Sequence, residues 1–226
     1  MGGFFGTVTE ASGDCVSDLF FGTDYHSHLG TMRGGLAVLG NKGFHRVIHD
    51  ISNAQFRSKF GADLRRLHGA CGIGVISDNE DQPLVISSHL GVYAIVTVGV
   101  ITNSAALVRE LFESRRVQFS EMSRGGINAT ELVAMLINSQ DSYESGVRFA
   151  QEKIEGSCSL LILTNEGALY AARDRYGRTP IAVGQKEGAV ALAMESCSFP
   201  NLGYQAVRDL GPGEMVLCRP DGIETI

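Results

Sequence analysis

The chain has 226 residues, of which 44% are hydrophobic and 19% are charged, a composition typical of a globular domain with a sizeable core. Its formal net charge of −6 argues against binding to nucleic acid or to an anionic membrane surface. No apolar run approaches the roughly 18 residues that a membrane span needs. The five cysteines form no C-x-x-C pair, which favours reduced thiols in a cytoplasmic protein over disulfides or zinc ligands.

The first quarter of the chain predicts a strand, a short helix and a polar loop. Residues 3–8 are expected to form a buried strand, and Asp14 is expected to cap a helix over residues 15–22. The loop that follows contains His26 and His28. This H-x-H spacing is weak as a metal site without a second cluster of ligands, so we predict a packed, hydrogen-bonded loop and no metal.

The middle of the chain is less informative. Strands are predicted over residues 36–39 and 71–77, and between them apolar residues recur at helical spacing: Phe56, Phe60, Leu64 and Leu67. This pattern predicts an amphipathic helix with a solvated basic face, and a surface that binds a partner is the alternative. The acidic run at 78–81 predicts a charged surface turn, with a cation site as the alternative.

A continuous β-branched strand is predicted over residues 92–98, and three helices are expected to follow it. The first is capped by residues 102–104, is expected to end at about Ser114 and has these inward positions: Leu107, Val108, Leu111 and Phe112. Asn128 and Glu131 predict a capping box for a helix over residues 130–138. Asp141 or Ser142 opens the third, whose apolar stripe contains Val147, Ala150 and Ile154.

The last third of the chain predicts only short strands, at residues 159–164, 169–172, 181–183, 190–194 and 215–218. Strands, helices and strands in separate blocks indicate an α+β fold instead of a doubly wound parallel sheet. Because no internal repeat, low-complexity run or linker interrupts the chain, we expect one domain over residues 1–226.

The segment Met1–Gly6 resembles the first strand of the class II glutamine amidotransferases, which begins M-C-G-I-V-G. Further segments, in the right order, are similar to the glutaminase domain of the amidophosphoribosyltransferases: residues 28–36, 82–84, 98–103, 173–181, 195–197 and 208–214. Together they cover nearly the whole chain. The resemblance implies the four-layer αββα sandwich of the amino-terminal-nucleophile hydrolases, which agrees with the α+β pattern.

The residues that carry the family's chemistry are replaced. In the family, removal of Met1 exposes a Cys whose thiol is the nucleophile and whose α-amine is the base, but this chain has Gly2 there. The resemblance places the family's carboxylate-binding Arg at Val75, its oxyanion-binding Asn at Val98 and its amine-binding Asp at Ala129, while Gly99 keeps the backbone donor. The implied glutamine pocket, with no catalytic residue intact, comprises Val75, Ser77, Asp78, Val98, Gly99 and Ala129.

The sequence therefore predicts an amidotransferase-like domain that has lost glutaminase activity and uses no cofactor. The resemblance further implies a phosphoribosyltransferase domain in cis or in trans, with this chain as the amino-terminal part of a longer protein, and a homo-oligomer. It also implies a role in purine biosynthesis.

Three alternatives stay open. The first is a non-catalytic binding or regulatory module whose altered pocket takes another small molecule. The second is an active glutaminase with a relocated nucleophile, for which the candidates are Cys15, Cys71 and Ser77. The third is an amidotransferase whose Cys was replaced by engineering, which the further changes at Val75, Val98 and Ala129 argue against. Any other amino-terminal-nucleophile hydrolase needs Ser, Thr or Cys exposed by processing, which Gly2 and Gly3 do not supply.

Overall fold

The computed structural model describes residues 2–113, 118–123 and 125–226. In these residues, fifteen strands follow one another as β1 to β15: Gly2–Thr9, Arg33–Gly40, Gly43–Asp50, Cys71–Ser77, Leu84–Ser88, Gly91–Ile101, Met122–Ser123, Gly126–Ile127, Gly156–Thr164, Leu169–Ala172, Ala182–Lys186, Ala189–Ala193, Gln205–Asp209, Met215–Arg219 and Gly222–Thr225. The α-helices, α1 to α5, are Val16–Asp24, Phe56–Phe60, Ser104–Glu113, Ala129–Ile137 and Tyr143–Lys153.

Two antiparallel sheets form the centre of the molecule. The first sheet has the order β13-β11-β12-β1-β4-β2-β3, and the second has the order β15-β14-β10-β9-β6-β5. A large apolar cluster that includes Phe4, Val75 and Leu161 fills the space between them. Helices α1 and α2 pack on the outer face of the first sheet, and α3 to α5 pack on the outer face of the second. These layers confirm the α+β class and the αββα sandwich.

Strand β1 is the fourth of the seven strands of the first sheet. Because it lies between other strands and is covered on both faces, every residue from Gly2 to Val8 is buried. It pairs with β4 on one side, in a register that joins Gly2 to Ser77, and with β12 on the other side. A strand that is buried on both faces is expected to show the continuous apolar pattern that predicted it. The amino-terminal end of β1 therefore opens at one end of the sandwich, between the two sheets.

The segment between β2 and β4 differs from its prediction. Strand β3 was not expected, although it pairs with β2 along its whole length, from Arg33↔Asp50 to Gly40↔Gly43. It is an edge strand with half-exposed residues, so its sequence lacks clear alternation. The predicted amphipathic helix is also too long, because α2 ends at Phe60 and only a short 3-10 turn follows at Asp63–Arg65.

The helices after β6 follow their predictions except for the side chains of Phe112 and Glu131. Leu107 and Leu111 of α3 are buried, but Phe112 is 50% exposed, so it does not face the core. The predicted end of this helix at Ser114 lies outside the described residues. The side chain of Asn128 caps α4 by accepting the N–H groups of Thr130 and Glu131.

Glu131 makes a different contact from the one that a capping box requires. Its carboxylate accepts the backbone N–H groups of Ser120 and Glu121, at 2.8 and 2.9 Å, and the hydroxyl of Ser120. This side chain is 1% exposed, so the buried charge is compensated by three donors. Glu131 therefore holds the segment before β7 against the start of α4. A capping box that was not predicted is present at α5, between Ser142 and Ser145.

The two histidines of the first loop make separate structural contacts. His26 is buried, its Nδ1 donates to the carbonyl of Gly22 at 2.8 Å, and its Nε2 accepts the N–H of Glu195 at 3.2 Å. His28 contacts the carboxylate of Glu195 at 2.9 Å. Burial lowers the pKa of His26, and its two hydrogen bonds suit the neutral imidazole.

The acidic run after β4 is tied to its neighbours. The carboxylate of Asp78 accepts the N–H of Thr31 at 2.7 Å, and that of Asp81 lies 2.9 Å from Nε of Arg33. Across the described ranges, no group of three or more His, Cys, Asp or Glu side chains is placed to hold a metal ion. Within the same ranges, none of the helices has the length and apolar character needed to cross a membrane.

Candidate functional site

A cavity of about 690 Å³ opens at the end of the sandwich where β1 begins and β4 ends. Its volume falls within the range of small-molecule sites, roughly 300–1,000 Å³. The walls come from both sheets, from α3 and from the first turn of α4. The lining residues include Gly2, Ile76, Ser77, Glu80, Val98, Gly99, Val100, Ile101, Ser104, Ala105, Val108, Arg109, Ile127, Ala129, Leu132 and Cys158.

Gly2 forms part of the cavity wall and has no space for a side chain. A Cβ atom added there would stand 2.4 Å from the carbonyl oxygen of Ile76, well inside the van der Waals distance. Ile76 belongs to β4, which pairs with β1 beside this point. A larger residue at position 2 therefore requires the end of β1 to move away from β4.

Position 99 also has no room for a side chain, because two strands approach each other closely there. It pairs with Cys158 across β6 and β9, and a Cβ atom added to it would stand 2.0 Å from the carbonyl oxygen of Ser157. Its neighbour Val98 also lines the cavity and is 8% exposed. Position 99 therefore contributes strand backbone to the wall, whereas the adjacent side chain of Val98 carries no hydrogen-bonding group.

The structure places most of the expected pocket residues around this cavity. Ser77, Val98, Gly99 and Ala129 line it together with Gly2, although they come from four different elements.

Val75 and Asp78 were expected in the same pocket but are not among the residues that line this cavity. Val75 has its side chain in the apolar cluster between the sheets, 1% exposed. Alternate residues of a strand share a face, so Ser77 occupies the same face of β4 two residues further along, opposite Gly2. Asp78 lies beyond the strand and bonds to Thr31.

A buried polar network supports the cavity wall behind Val98. The side-chain amide of Gln82 accepts the N–H of Thr97 at 2.8 Å and donates to its carbonyl at 3.0 Å. Thr130 joins the network, with its hydroxyl 2.6 Å from that of Thr97 and 3.0 Å from Oε1 of Gln82. Because each partner is satisfied, the network fixes β6 against the start of α4 at low desolvation cost.

The alternative of a relocated nucleophile has three candidate side chains, and the structure places them in different parts of the molecule. Cys15 packs in the cluster between α1 and the first sheet, and Cys71 starts β4 at the opposite end from the cavity. Only Ser77 lines the cavity; its hydroxyl lies 3.4 Å from the Glu80 carboxylate and accepts the N–H groups of Asn79 and Glu80.

Cys158 lines the cavity and was not anticipated. Burial, followed by the charges of Asp174 and Glu80, raises the pKa of its thiol to about 12. The thiolate is the nucleophilic form of cysteine, so at neutral pH this side chain is held in its unreactive form. No local pattern in the sequence singles it out, because it lies in an ordinary buried strand.

Helix α3 contributes residues to the cavity wall, and the sequence did not indicate that they would lie there. Ser104, Ala105, Val108 and Arg109 face the cavity, whereas Leu107 and Leu111 face the core. The helical period places the first four on one side. Arg109 and Glu80 are the charged side chains of the cavity wall among the described residues.

A family model, described as a glutamine amidotransferase domain, matches residues 66–200, which is more than half of the chain. The chain is also 28% identical over 229 aligned positions to the amidophosphoribosyltransferase of Methanocaldococcus jannaschii, and 27% identical over 233 positions to that of Rhizobium etli. These matches cover 96% and 97% of this chain but 46% and 45% of the relatives. The chain therefore spans a little under half the length of these curated relatives.

Solved structures show the same fold. The glutamine phosphoribosylpyrophosphate amidotransferase of B. subtilis, complexed with ADP and GMP, superposes with a TM-score of 0.85 at 22% identity, over 99% of this chain and 48% of the other. A glutamine aminotransferase class-II domain protein from Silicibacter pomeroyi superposes with a TM-score of 0.61 at 12% identity, over 99% and 98%. The superpositions show that the chain has the fold of these proteins, and the family match over more than half of its length shows that it belongs to the glutamine amidotransferase domain family.

Proposed function

We propose that this chain is an amidotransferase domain of the amidophosphoribosyltransferase type that has lost glutaminase activity. The proposal rests above all on Gly2, which lines the cavity where the family resemblance puts the nucleophilic Cys. Glycine has no side chain to attack the glutamine amide, and the covalent route needs a thiol or hydroxyl at that point. The space at this position is closed by Ile76, which supports a change that the surrounding strands have accommodated.

Other positions around the cavity support the same proposal. Val98 has no amide to donate to an oxyanion, and loss of one such donor typically lowers the rate by about 10²–10³-fold. Ala129 has no carboxylate for an α-amino group, and Val75, where the resemblance puts the carboxylate-binding Arg, has an apolar side chain in the core. The retained network of Gln82, Thr97 and Thr130 keeps the wall in place. The scaffold is preserved while the groups that bind and activate glutamine are not.

We further propose that the domain acts with a phosphoribosyltransferase domain, in cis or in trans. The amidophosphoribosyltransferases that it resembles are about twice as long, which supports a second domain as the partner. Such a protein would be cytoplasmic and would use free ammonia in place of glutamine.

Ammonia release from glutamine tests the loss of activity directly. The purified chain is incubated with millimolar glutamine at high protein concentration, and mass spectrometry establishes whether Met1 has been removed. We expect release no faster than in a buffer blank. Glutamine hydrolysis that disappears on Ser77→Ala or Cys158→Ala would overturn the proposal and identify a relocated nucleophile.

The partner is tested separately. The full-length gene product, or this chain mixed with a candidate phosphoribosyltransferase, is assayed for phosphoribosylamine formation from phosphoribosyl diphosphate, with ammonia or with glutamine. We expect product with ammonia and none with glutamine. If ammonia supports no synthesis, the domain is better described as a non-catalytic binding module, an alternative favoured by the open cavity with its partly apolar wall.

A further inference from the structure

Arg109 is a cation on the cavity wall without a partner in the described part of the chain. It lies on α3 with Ser104, Ala105 and Val108, on the side that faces the cavity. Its guanidinium makes no hydrogen bond or ion pair with any of residues 2–113, 118–123 and 125–226. The group is therefore available to a bound anion, and a guanidinium presents a planar set of donors that fits a carboxylate.

The other charged group of the wall is already engaged. The carboxylate of Glu80 lies 3.4 Å from the hydroxyl of Ser77, and the N–H of Glu80 donates to the same hydroxyl at 3.1 Å. Its negative charge nevertheless disfavours a ligand that carries several negative charges.

The remainder of the wall has more apolar than polar side chains. Seven of the lining residues have aliphatic side chains larger than that of Ala: Ile76, Val98, Val100, Ile101, Val108, Ile127 and Leu132. Val100 is 66% exposed, which leaves apolar surface that a ligand can cover. Burial of such surface stabilises a complex by about 25 cal/mol per Å². The wall therefore favours a ligand with an apolar body.

The backbone donors at the start of α4 are not free to hold an anion. A helix N-terminus usually attracts phosphate through its unpaired N–H groups, but Asn128 already accepts those of Thr130 and Glu131. A single guanidinium without such donors fits one carboxylate better than a phosphate or a diphosphate.

From these contacts we propose that the cavity binds a small monocarboxylate with an apolar chain, which packs on the aliphatic wall while its carboxylate meets Arg109. The inference rests on the proposed function, because a working glutaminase would need the same space for glutamine. It identifies a ligand class for the cavity that differs from glutamine in having an apolar chain in place of the amide and the α-amino group.

Isothermal titration calorimetry of the full chain with hexanoate, hexanamide and hexylammonium tests the proposal. The three probes share a six-carbon body and differ in the charge of the head group. We expect hexanoate to bind at least about tenfold more tightly than hexanamide, as a charge-assisted hydrogen bond implies. Hexylammonium should bind more weakly than either.

Matched variants locate the site. Arg109→Gln should weaken hexanoate about tenfold and leave hexanamide unchanged. Arg148→Gln removes an exposed arginine of α5 that does not line the cavity, so it should change neither. Val98→Ser should weaken hexanoate and hexanamide alike. Circular dichroism establishes that each variant is folded.

Two results would overturn the ligand class: hexanamide binding as tightly as hexanoate, or hexanoate binding that Arg109→Gln leaves unchanged. Absence of hexanoate binding at millimolar concentration would overturn it as well. The glutamine assay on the same preparation separates the two proposals. Ammonia release overturns the proposed function whatever hexanoate does, whereas failure of hexanoate to bind without ammonia release overturns only the ligand class.

Discussion

The carbonyl oxygen of Ile76 stands 2.4 Å from the position that a Cβ atom of Gly2 would occupy. The two residues belong to neighbouring strands, and Gly2 pairs with Ser77, the residue after Ile76. The contact is with backbone and not with a flexible side chain, so rotamer changes cannot relieve it. A side chain at position 2 would therefore require the backbone to shift. Glycine itself has no side chain that could act as a nucleophile.

Restoring the family's residue should therefore cost stability without restoring activity. We expect Gly2→Cys to lower the free energy of unfolding by about 1–3 kcal/mol, the usual cost of overpacking, measured by urea denaturation. Ammonia release from glutamine should stay at the background level, because Val98 still offers no oxyanion donor. The control is Gly222→Cys, since a Cβ there meets nothing within 4 Å, and we expect a change within about 0.5 kcal/mol.

The double variant Gly2→Cys/Val98→Asn sharpens this experiment. If the loss of the two side chains were the whole reason for inactivity, glutaminase activity would return in the double variant. The steric contact at Ile76 and the absence of a carboxylate at Ala129 predict that it does not. Measurable ammonia release from either variant would contradict the steric argument.

Gln82 should be important for stability, because its side chain joins β6 to α4 through Thr97 and Thr130. Gln82→Ala removes the side-chain partner of both the N–H and the carbonyl of Thr97 in a buried environment, and it removes one acceptor of the Thr130 hydroxyl. At about 1–3 kcal/mol for each unsatisfied group, we expect a loss of several kcal/mol in the free energy of unfolding.

Gln205→Ala provides the matched control for Gln82. Gln205 is exposed on β13, at the edge of the first sheet, and we expect a change within about 0.5 kcal/mol. Equal effects of the two substitutions on the urea midpoint would show that the network adds nothing to the stability.

The cysteines should differ in their reactivity towards iodoacetamide. Cys197 is exposed, whereas Cys15, Cys71, Cys158 and Cys218 are buried. Burial raises the pKa of the Cys158 and Cys218 thiols to about 12 in each case, so at pH 8 both are protonated as well as shielded. Mass spectrometry of the native protein should find alkylation first at Cys197.

Two further samples test this order of alkylation. Cys197→Ser should remove the fast phase, and unfolding in guanidinium chloride should expose the four buried thiols. Rapid native alkylation of Cys158 would instead indicate a reactive thiol in the cavity and would revive the relocated nucleophile.

The stability should fall as the pH drops below about 6.5, in part through His26. Burial lowers the pKa of this imidazole in the folded chain, and the unfolded chain has the ordinary value of about 6.5. Between the two values the unfolded chain binds more protons, so the free energy of unfolding rises with pH across that window. Protonation also puts a hydrogen on Nε2, which accepts the N–H of Glu195.

Nuclear magnetic resonance titration of the His26 ring should give an apparent pKa below that of an unstructured histidine. In the denaturation experiment, His26→Gln should flatten the decline of stability between pH 7 and pH 5 relative to the exposed-site control His45→Gln. A pKa at or above the ordinary value for the His26 ring would refute the argument.

The sequence was sufficient to predict the α+β class, because its strands and helices occur in separate groups along the chain. Each element could be recognised because the spacing of its apolar residues indicates which side chains are buried. Strands such as β1 and helices such as α5 could be placed for that reason. Strand β3 escaped because it lies at an edge with half-exposed residues. The length of α2 was overestimated because helical spacing persists past Phe60 although the α-helix does not.

The sequence alone determined that position 2 is glycine, which the proposed loss of the nucleophile rests on, and it determined the segments that resemble the amidophosphoribosyltransferases. The walls of the cavity were decided only by the tertiary structure: Val75 lies in the core, and Arg109 and Cys158 line the cavity. The physical reason is that a cavity forms where the ends of several elements meet. Its lining depends on strand register and helix placement between distant parts of the chain, which no local pattern encodes.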